Sequence, residues 1–457
     1  MKRFLFSKAF PIGMAALVRL AIIAPAGYPQ TVTSVDGSVI VVGGSTLGQR
    51  SGHDVATKGT SIVTLDTPGG VVPQRSSNRL DESSAVQQAG AEHSTASVKI
   101  ESFPYDGAAT AQRYFITDLG TLGGTQSFAY ALNDSGQVVG LSSISGDASN
   151  HAFLYSNGKM IDLYPLNSQN VQTVGPTHIN NAGQIASGVV VGGVYVPAIL
   201  DSTTGELTLT GTLGGVTSYG FNGVAMSINN QGNAVGYSYI DSTNRHAFLY
   251  SNNVITDLGS FGGYSAAGAI NADGEIVGFA SDSSSGVAHA FVDTNGVMTD
   301  IEPATESYAN DVNSQGQVVG QFLTPDQSAF HAFLYNQGSF TDLGLAGSVE
   351  TNPYAINEQG QIVGIMFIAN KQHAFIYENG RIVDLNGLIQ QDSGWELTWA
   401  FDVNNHGQIV GYGLVKNKFR AFLLTPAISA EQCMDDGWTS FGFKNQGQCI
   451  KFINTGK

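Results

Sequence analysis

Apolar and polar positions along this chain alternate in short runs that return at a regular interval. One run joins an apolar residue and Asn to a few turn-forming residues, a Gly and a second apolar stretch, as in "INEQGQIVG" from Ile356. Short alternating runs bounded by Gly and Asn are typical of β-strands. Gly tolerates the positive φ that a tight hairpin loop requires. Each such run therefore predicts a β-hairpin, whose two strands we call a and b.

The hairpin sequence occurs seven times, and further strands follow each copy. The Asn residues lie 42 to 49 residues apart, at Asn133, Asn180, Asn229, Asn271, Asn313, Asn357 and Asn404. Downstream, "HAFLY" or a variant predicts strand c, starting at His151, His246, His289, His331 and His373, with Pro197 and Arg420 in the other two units. A fourth strand, d, ends at Asp162, Asp257, Asp300, Asp342 or Asp384, with Leu209 at the matching place in the second unit. Four strands in a period of roughly 40–50 residues are typical of a β-propeller blade.

The two ends of the repeat region complement each other. The seventh unit stops after "RAFLLTP" and has no strand d, whereas "YFITDLG" at 114–120, ending in Asp118, is a spare strand before the first unit. A strand that completes the last blade closes the ring and removes exposed sheet edges. We therefore predict an all-β fold: a seven-bladed β-propeller of four-stranded blades over residues 114–426, closed by an N-terminal strand that completes the last blade.

The repeated words also resemble a known family. "INNQGNAVG" followed by "HAFLY" and "DLGSFGG" resembles the HAF repeats of bacterial proteins regarded as extracellular, over about residues 114–425. The resemblance implies secretion and a repetitive β fold, and it brings no catalytic residues. The tail sequence "CMDDGWTSFGFKNQGQCIKF" resembles a short C-terminal segment of varied secreted bacterial proteins.

Three segments flank the repeats. Residues 1–26 are predicted to be a signal peptide, with a basic start, an apolar stretch and "APA" at 24–26, although Arg19 interrupts the apolar part. Residues 27–113 are rich in Ser, Thr, Gly, Ala and Gln, which predicts a low-complexity and largely disordered region; "GSVIVVGG" and "TSIVTL" are candidate strands. The tail, 427–457, holds Cys433 and Cys449, which could form a disulfide in an oxidising compartment or two free thiols in a reducing one.

Charge narrows the possible partners. Residues 1–113 hold 10 Lys and Arg against 8 Asp and Glu (+2), and the rest holds 10 against 28 (−18), which together give the net −16. Such an acidic repeat region repels phosphate, so nucleic acid and anionic membrane surfaces are poor partners. No run is apolar for the 18 or so residues of a spanning helix, so we expect no integral membrane segment. We expect a secreted or cell-surface monomer with no cofactor and no bound metal.

The candidate chemistry has structural alternatives. Imidazole is a common metal ligand, but equivalent residues of a ring do not converge, so each "HAF" histidine is predicted to bond a backbone carbonyl or a strand-d Asp. Two residues before the repeated Asn, His178, Asp311 and Asp402 replace mostly small residues. They could reach the central channel as a metal or acid–base site, or bond the neighbouring blade. Familiar catalytic motifs (Gly-x-Ser-x-Gly, phosphate loop, dinucleotide fingerprint, Cys/His zinc spacing) do not occur.

The remaining signal lies in the loops. The a–b and c–d turns are short and stereotyped and share one face of a propeller, which we call the turn face. The d–a and b–c loops vary and share the other, the variable-loop face, where binding usually resides. Aromatic residues in or beside these loops are candidate ligand-binding residues, or pack against their own blades: Tyr219, Phe221, Tyr264, Trp395 and Trp399. We predict a non-catalytic binding module for glycan or protein; the alternatives are a secreted propeller hydrolase or lyase acting at the channel mouth, and a coat component without a ligand.

Overall fold

Seven small sheets surround a common axis. The computed structural model describes residues 30–33, 39–42, 112–164, 172–218, 220–302, 304–344, 350–369 and 371–456. Within these ranges seven antiparallel four-stranded sheets follow one another, each with its strands paired in the order a–b–c–d. The strands a of successive blades contact one another around the axis. The predicted seven-bladed β-propeller is therefore confirmed.

The strands have the following bounds. The innermost strands a are β4 (Gly123–Leu132), β8 (Gln172–Ile179), β12 (Gly223–Ile228), β16 (Gly262–Ile270), β20 (Ser307–Val312), β24 (Thr351–Ile356) and β28 (Trp395–Val403). Strands b are β5 (Val138–Ile144), β9 (Gln184–Val191), β13 (Ala234–Tyr239), β17 (Ile276–Asp282), β21 (Val318–Leu323), β25 (Ile362–Ile368) and β29 (Ile409–Val415). Strands c are β6 (Asn150–Ser156), β10 (Val194–Asp201), β14 (Arg245–Ser251), β18 (Ala288–Thr294), β22 (Phe330–Asn336), β26 (Lys371–Glu378) and β30 (Lys418–Pro426). Strands d of blades 1–6 are β7 (Lys159–Asp162), β11 (Leu207–Leu209), β15 (Val254–Gly259), β19 (Val297–Asp300), β23 (Ser339–Asp342) and β27 (Arg381–Asp384).

The ring is closed by a strand from the N-terminal side of the repeats. β3 (Tyr114–Asp118) pairs antiparallel with β30, with Tyr114 opposite Pro426 and Asp118 opposite Phe422. It is the fourth strand of blade 7, in the order β28-β29-β30-β3. The predicted closure is confirmed. Upstream, β1 (Gln30–Thr33) and β2 (Val39–Val42) form a two-stranded hairpin; β2 lies in the predicted strand "GSVIVVGG", whereas "TSIVTL" and the leader lie outside the described residues.

Every strand a contains the same irregularity. The register against strand b shifts at the third residue before the repeated Asn in all seven blades, for example between Ala267 and Ala269. The Gly of strand b faces this bulge: a Cβ on Gly278 would lie 2.1 Å from the carbonyl oxygen of Ala266. Gly allows the two backbones to approach this closely. In the six blades that have this Gly it therefore serves the packing between strands a and b, whereas blade 2 carries Ser187 at the same register position.

The tail packs on the closing strand. Its short helices are a 3-10 turn (Ala430–Cys433), α1 (Gly437–Ser440) and α2 (Gln446–Thr455). A disulfide joins Cys433 to Cys449, and both are fully buried in a small core around Phe115 of β3. No helix within the described ranges is long and apolar enough to cross a membrane.

Candidate functional site

The repeated Asn residues form a closed ring of hydrogen bonds. The Nδ2 atom of each Asn donates to the backbone oxygen of the equivalent Asn in the next blade, at 2.9–3.1 Å. The last of these bonds runs from Asn404 back to Asn133 at 3.0 Å. These side chains are buried. The most regular feature of the sequence therefore joins the blades, and it is equal in all of them, so it defines no unique ligand site.

The five "HAF" histidines are paired with the aspartates of strand d, one of the two partners that the sequence analysis proposed for them. Nδ1 lies 2.7–3.1 Å from the Asp carboxylate in each blade concerned: His151–Asp162, His246–Asp257, His289–Asp300, His331–Asp342 and His373–Asp384. In blade 7 Arg420 replaces the His and lies 4.0 Å from Asp118. The aspartates also accept N–H bonds from the following loop, for example from Gly259 to Asp257 at 2.7 Å. Each pair ties strand c to strand d and the adjoining loop.

The channel candidates bond the neighbouring blade. Asp311 accepts from the N–H of Val312 at 2.9 Å and from Ile356 of the next blade at 2.8 Å. Asp402 does the same with Val403 at 2.8 Å and with Leu132 of blade 1 at 2.9 Å. Both carboxylates are therefore used as links between blades, the structural alternative of the two predicted for them.

His178 is half-buried and stands opposite Ala186 of its own sheet. Among the described residues, no group of three or more His, Cys, Asp or Glu side chains is placed to hold a metal ion.

The predicted loop aromatics are placed differently from one another. Trp399 is buried, with 8% exposure; its ring stacks on Tyr354 at 5.6 Å, and its Nε1 donates to Gln372 at 3.3 Å. Trp395 is half-buried and meets the ring of Phe422 edge-on at 6.2 Å. Trp395 thus packs against its own blade, as the alternative prediction described, whereas Trp399 also packs against the neighbouring blade 6. Tyr219 lies outside the described residues.

Phe221 and Tyr264 belong to an aromatic cluster on the variable-loop face of blades 3–5. Its buried floor consists of Tyr237, Phe279 and Tyr308. Half-buried rings pack on this floor from the loop side: Phe221, Tyr239, Tyr264 and Phe330. We call these seven residues, together with Arg245 and Glu306, the Arg245 patch.

Arg245 lies at the centre of the patch. Its guanidinium carbon is 4.4 Å from the centroid of the Tyr237 ring, and 5.9 and 5.8 Å from those of Tyr264 and Phe279. A guanidinium over aromatic faces is held by cation–π attraction. No carboxylate of the described residues forms a salt bridge with Arg245. The patch thus presents a positive group within an aromatic surface.

The other polar groups of the patch are partly desolvated. Burial raises the pKa of Glu306, against the opposing effects of a hydrogen bond from the Tyr308 hydroxyl and the nearby His289. Burial also raises the pKa of Tyr264, whose hydroxyl has no hydrogen-bond partner among the described residues. Desolvated polar groups beside half-buried rings can recognise a ligand, and no nucleophile–base pair is among them.

Sequence reasoning found two members of the patch and missed Arg245. The missed signal was the residue immediately before the "HAF" histidine or its replacement. In blade 2 the strand register places Val196, rather than the predicted Pro197, at the histidine position. The preceding residue differs in every blade except for a repeated Phe: Asn150, Tyr195, Arg245, Ala288, Phe330, Gln372 and Phe419. This residue lies at the start of strand c, next to the b–c loop. A search for variation at that position would have pointed to Arg245 and Phe330.

Comparison with known proteins gives the fold alone. No protein-family model matches the chain, and no curated protein is similar to it. Among solved structures, the β-propeller domain of the trilobed protease from Pyrococcus furiosus is similar with a TM-score of 0.45 and 10% identity, over 66% of this chain and 95% of that one. An acylaminoacyl peptidase of Pyrococcus horikoshii (TM-score 0.43, 10%) matches over 67% of this chain and 52% of its own. A puromycin hydrolase (0.45, 11%) matches over 69% and 52%. This chain thus spans about half the length of these two enzymes, and at such low similarity nothing about activity follows.

Proposed function

We propose that the protein is a secreted, non-catalytic binding module whose variable-loop face binds a protein ligand. The observation that carries the proposal is the Arg245 patch, where half-buried Phe and Tyr rings surround a guanidinium without a carboxylate partner in the described residues. Aromatic residues and Arg are enriched in the centres of protein interfaces, and Tyr and Arg are frequent binding hot spots. Secretion is proposed from the leader sequence and the resemblance to HAF repeats.

The hydrogen bonds made by the predicted channel residues favour the binding proposal over the enzyme alternative. Asp311 and Asp402 accept backbone N–H bonds from two blades each. A general base must reach a substrate proton within hydrogen-bond distance, and these carboxylates are already engaged in structural bonds. The binding function therefore rests on the patch, and catalysis would need groups elsewhere.

The ligand surface around the part that contacts Arg245 is proposed to be basic. Asp241 lies in the b–c loop of blade 3, and Asp282 is the last residue of strand b in blade 4; both are on the same face as the patch. A bond from the N–H of Asn244 is the largest of several that hold the pKa of Asp241 far below its usual value, and bonds from Ser284 and Ser285 do so for Asp282. Both remain negative at any physiological pH. Together with the balance of −18 over residues 114–457, they would steer a cationic partner to this face.

The test compares retention of ligands by matched variants. The full chain is immobilised and exposed to cell-surface and medium proteins of its source, and retained proteins are identified and their Kd values measured. Arg245→Ala and Tyr264→Ala should each weaken binding of a specific partner about 10- to 100-fold. The control is Gln372→Ala, the equivalent position in blade 6, which should leave Kd unchanged.

Three results would contradict the proposal. A retained protein that binds the Arg245 variant as tightly as the unmodified chain would move the interface elsewhere. Specific binding on a glycan array that depends on Tyr264 would change the ligand class to carbohydrate. Turnover of a bound ligand, lost when Asp311 or Asp402 is replaced by Asn, would establish the enzyme instead.

A further inference from the structure

Blade 7 lacks the turn that joins strands c and d in the other blades. In blade 6, for example, Asn379 and Gly380 connect β26 to β27 directly. In blade 7, β30 ends at Pro426 and continues into the tail, while β3 arrives separately from the N-terminal side through residues 112–113. A cleft of about 670 Å³ lies at this place on the turn face, between blades 6 and 7 and the tail. We call it the seam cleft.

The walls of the seam cleft differ in character. Amide side chains from the turns of blades 6 and 7 line it, including Gln359, Gln361 and Asn405. The tail and the end of β30 supply an apolar wall that includes Ile428 and Ile453. Because the tail and the closing strand occur once in the chain, this combination cannot be repeated at another blade. The cleft therefore meets the requirement that a unique site must break the symmetry of the ring.

Tyr114, which also lines the cleft, carries an unsatisfied hydroxyl. The residue is 1% exposed, and its hydroxyl has no hydrogen-bond partner among the described residues. Burial, with a contribution from the charge of Glu378, raises the pKa of Tyr114, so the hydroxyl stays protonated and can donate. Burying a hydroxyl without a partner is destabilising, whereas Phe would fill the same space without that penalty.

The neighbouring polar groups are held in place. Gln361 Nε2 donates to the carboxylate of Glu378 at 3.1 Å, and Gln361 Oε1 accepts from Asn357 of the Asn ring at 2.8 Å. Arg113 directs its guanidinium to the backbone oxygen of Ile453 at 2.9 Å, so that this cation is engaged with the tail. The polar residues that line the cleft thus supply mainly amides, with the carboxylate of Glu378, the imidazole of His406 and the buried hydroxyl of Tyr114 beside them.

We propose that the seam cleft binds a small neutral carbohydrate, of monosaccharide or disaccharide size, through Tyr114, Gln361 and Glu378. Amide, carboxylate and phenol groups pair with sugar hydroxyls, and the apolar wall matches the C–H face of a pyranose ring. The carboxylate of Glu378 and the net negative charge of the propeller disfavour an anionic ligand. The volume lies within the range of ligand pockets, about 300–1,000 Å³. This site lies on the face opposite the Arg245 patch and does not depend on the function proposed there.

The experiment measures binding of neutral sugars by calorimetric titration of the full chain. The probes are glucose, galactose, N-acetylglucosamine, maltose and cellobiose. At least one should bind with a stoichiometry of one. Tyr114→Phe, which removes only the hydroxyl, should raise its Kd about tenfold, the loss of one hydrogen bond. The free Tyr114→Phe protein should melt no lower than the unmodified chain.

A matched pair of Gln variants distinguishes an effect on the seam cleft from an effect on the hydrogen bonds of the repeated Asn residues. Gln361→Ala and Gln317→Ala remove the same structural bond, to Asn357 at 2.8 Å and to Asn313 at 2.7 Å, but only Gln361 lines the cleft. Gln361→Ala should weaken sugar binding about tenfold or more, and Gln317→Ala should leave it unchanged. Absence of binding by every probe, or equal Kd values for the unmodified, Tyr114→Phe and Gln361→Ala chains, would overturn the proposal. Equal weakening of sugar binding in the Gln361→Ala and Gln317→Ala variants would also overturn it. Arg245→Ala should bind the sugar normally, which keeps this test separate from that of the patch.

Discussion

At the scale of single residues, the repeated Asn combines two tasks in one side chain. Asn313 Nδ2 donates to Gln317 of its own hairpin at 2.7 Å and to the backbone of Asn357 in the next blade at 3.1 Å. Its Oδ1 accepts from the N–H groups of Gln315 and Gln317 at 3.1 and 3.0 Å. An amide has two donors and two acceptor lone pairs, and here all four are used. Asp or Ser in this place would leave at least one buried group without a partner.

Replacing Asn313 by Ala should lower the free energy of unfolding by about 3 kcal/mol, because buried backbone groups would lose their partners. Urea unfolding followed by fluorescence measures the change. Asn230→Ala is the control: Asn230 is exposed and accepts one bond, from the N–H of Asn181 at 2.9 Å. It should cost about 1 kcal/mol or less. Equal effects of the two substitutions would show that the buried ring adds nothing to stability.

Asp293 is a residue at which one blade departs from its repeats. It occupies the place of Tyr or Leu in the other "HAF" words, is 2% exposed, and has one carboxylate oxygen, Oδ2, without a partner among the described residues. Burial raises its pKa above the ordinary 3.8, and the bond from the N–H of Gly296 opposes this only in part. The folded state thus binds the proton more tightly than the unfolded state, so stability falls as pH rises from about 4 through the folded pKa.

Asp293→Asn should therefore be more stable than the unmodified protein at neutral pH, by on the order of 1 kcal/mol, and the difference should vanish below pH 3.8. Urea unfolding at about pH 7 and about pH 3.5 measures it. Asp300→Asn serves as the comparison, because it removes a carboxylate that is paired with His289 at 2.7 Å. That substitution should lower stability at neutral pH. A loss of stability in the Asp293 variant at pH 7 would contradict the account.

At the scale of elements, the blade depends on the close contact between strand b and the bulge of strand a. A Cβ on Gly278 would lie 2.1 Å from the carbonyl oxygen and 2.9 Å from the Cα of two residues in β16. Both are backbone atoms of a strand held on either side, so neither can move alone. In blade 4 the hairpin therefore has no room for a side chain at this position.

Gly278→Ala should lower the free energy of unfolding by about 3 kcal/mol or more, since strands a and b must separate. Gly286→Ala is the matched control in the same blade, because Gly286 has φ +71 and a methyl group added to it would meet no atom within 4 Å. Its cost should be about 1 kcal/mol, from the left-handed backbone alone. Thermal unfolding of both variants measures which of them loses more stability. A Gly278→Ala variant as stable as the Gly286→Ala variant would refute the prediction.

The sequence predicted the elements well because their signals are local. The hairpin words, the "HAF" words and the spare strand at Tyr114–Asp118 each carry alternation and turn residues within a few positions, and the period then fixes the number of blades. The same reasoning offered the strand-d Asp as one of two partners for each "HAF" histidine, and the structure has this pair eleven positions apart on adjacent strands.

Side-chain environments on the loop face were harder to predict, since they depend on neighbouring blades. Trp399 is buried by Tyr354, which is distant in the chain and belongs to blade 6. The bulge in β28 also interrupts the simple alternation of inward and outward residues. The seam cleft arises where three separate parts of the chain meet, and no local pattern marks such a junction.

At the scale of the whole molecule, the propeller is closed where blade 7 meets blade 1 and the N-terminal strand β3. The bond from Asn404 to Asn133 and that from the Leu132 N–H to Asp402 join the last blade to the first. On the outer side, β3 is fastened by the tail: Phe115 stacks on Phe441 at 4.1 Å, and the N–H of Ala427 donates to the backbone oxygen of Arg113 at 2.8 Å. Without the tail, the ring of Phe115 would be left on the surface. The tail therefore acts as a clasp on the strand that closes the propeller.

Replacing both Cys433 and Cys449 by Ser should loosen this clasp and, through it, β3. The disulfide closes a loop with a sequence separation of 16, and loss of a loop of this size costs about 3 kcal/mol. Hydrogen exchange should then be faster at the amides of Tyr114–Asp118, while those of Ser339–Asp342, the equivalent strand of blade 5, keep their protection. Because every blade is held by two neighbours, release of β3 should also lower the melting temperature of the entire ring in a single transition. A variant whose tail melts separately, with the exchange of Tyr114–Asp118 unchanged, would show that the ring closes independently of the tail.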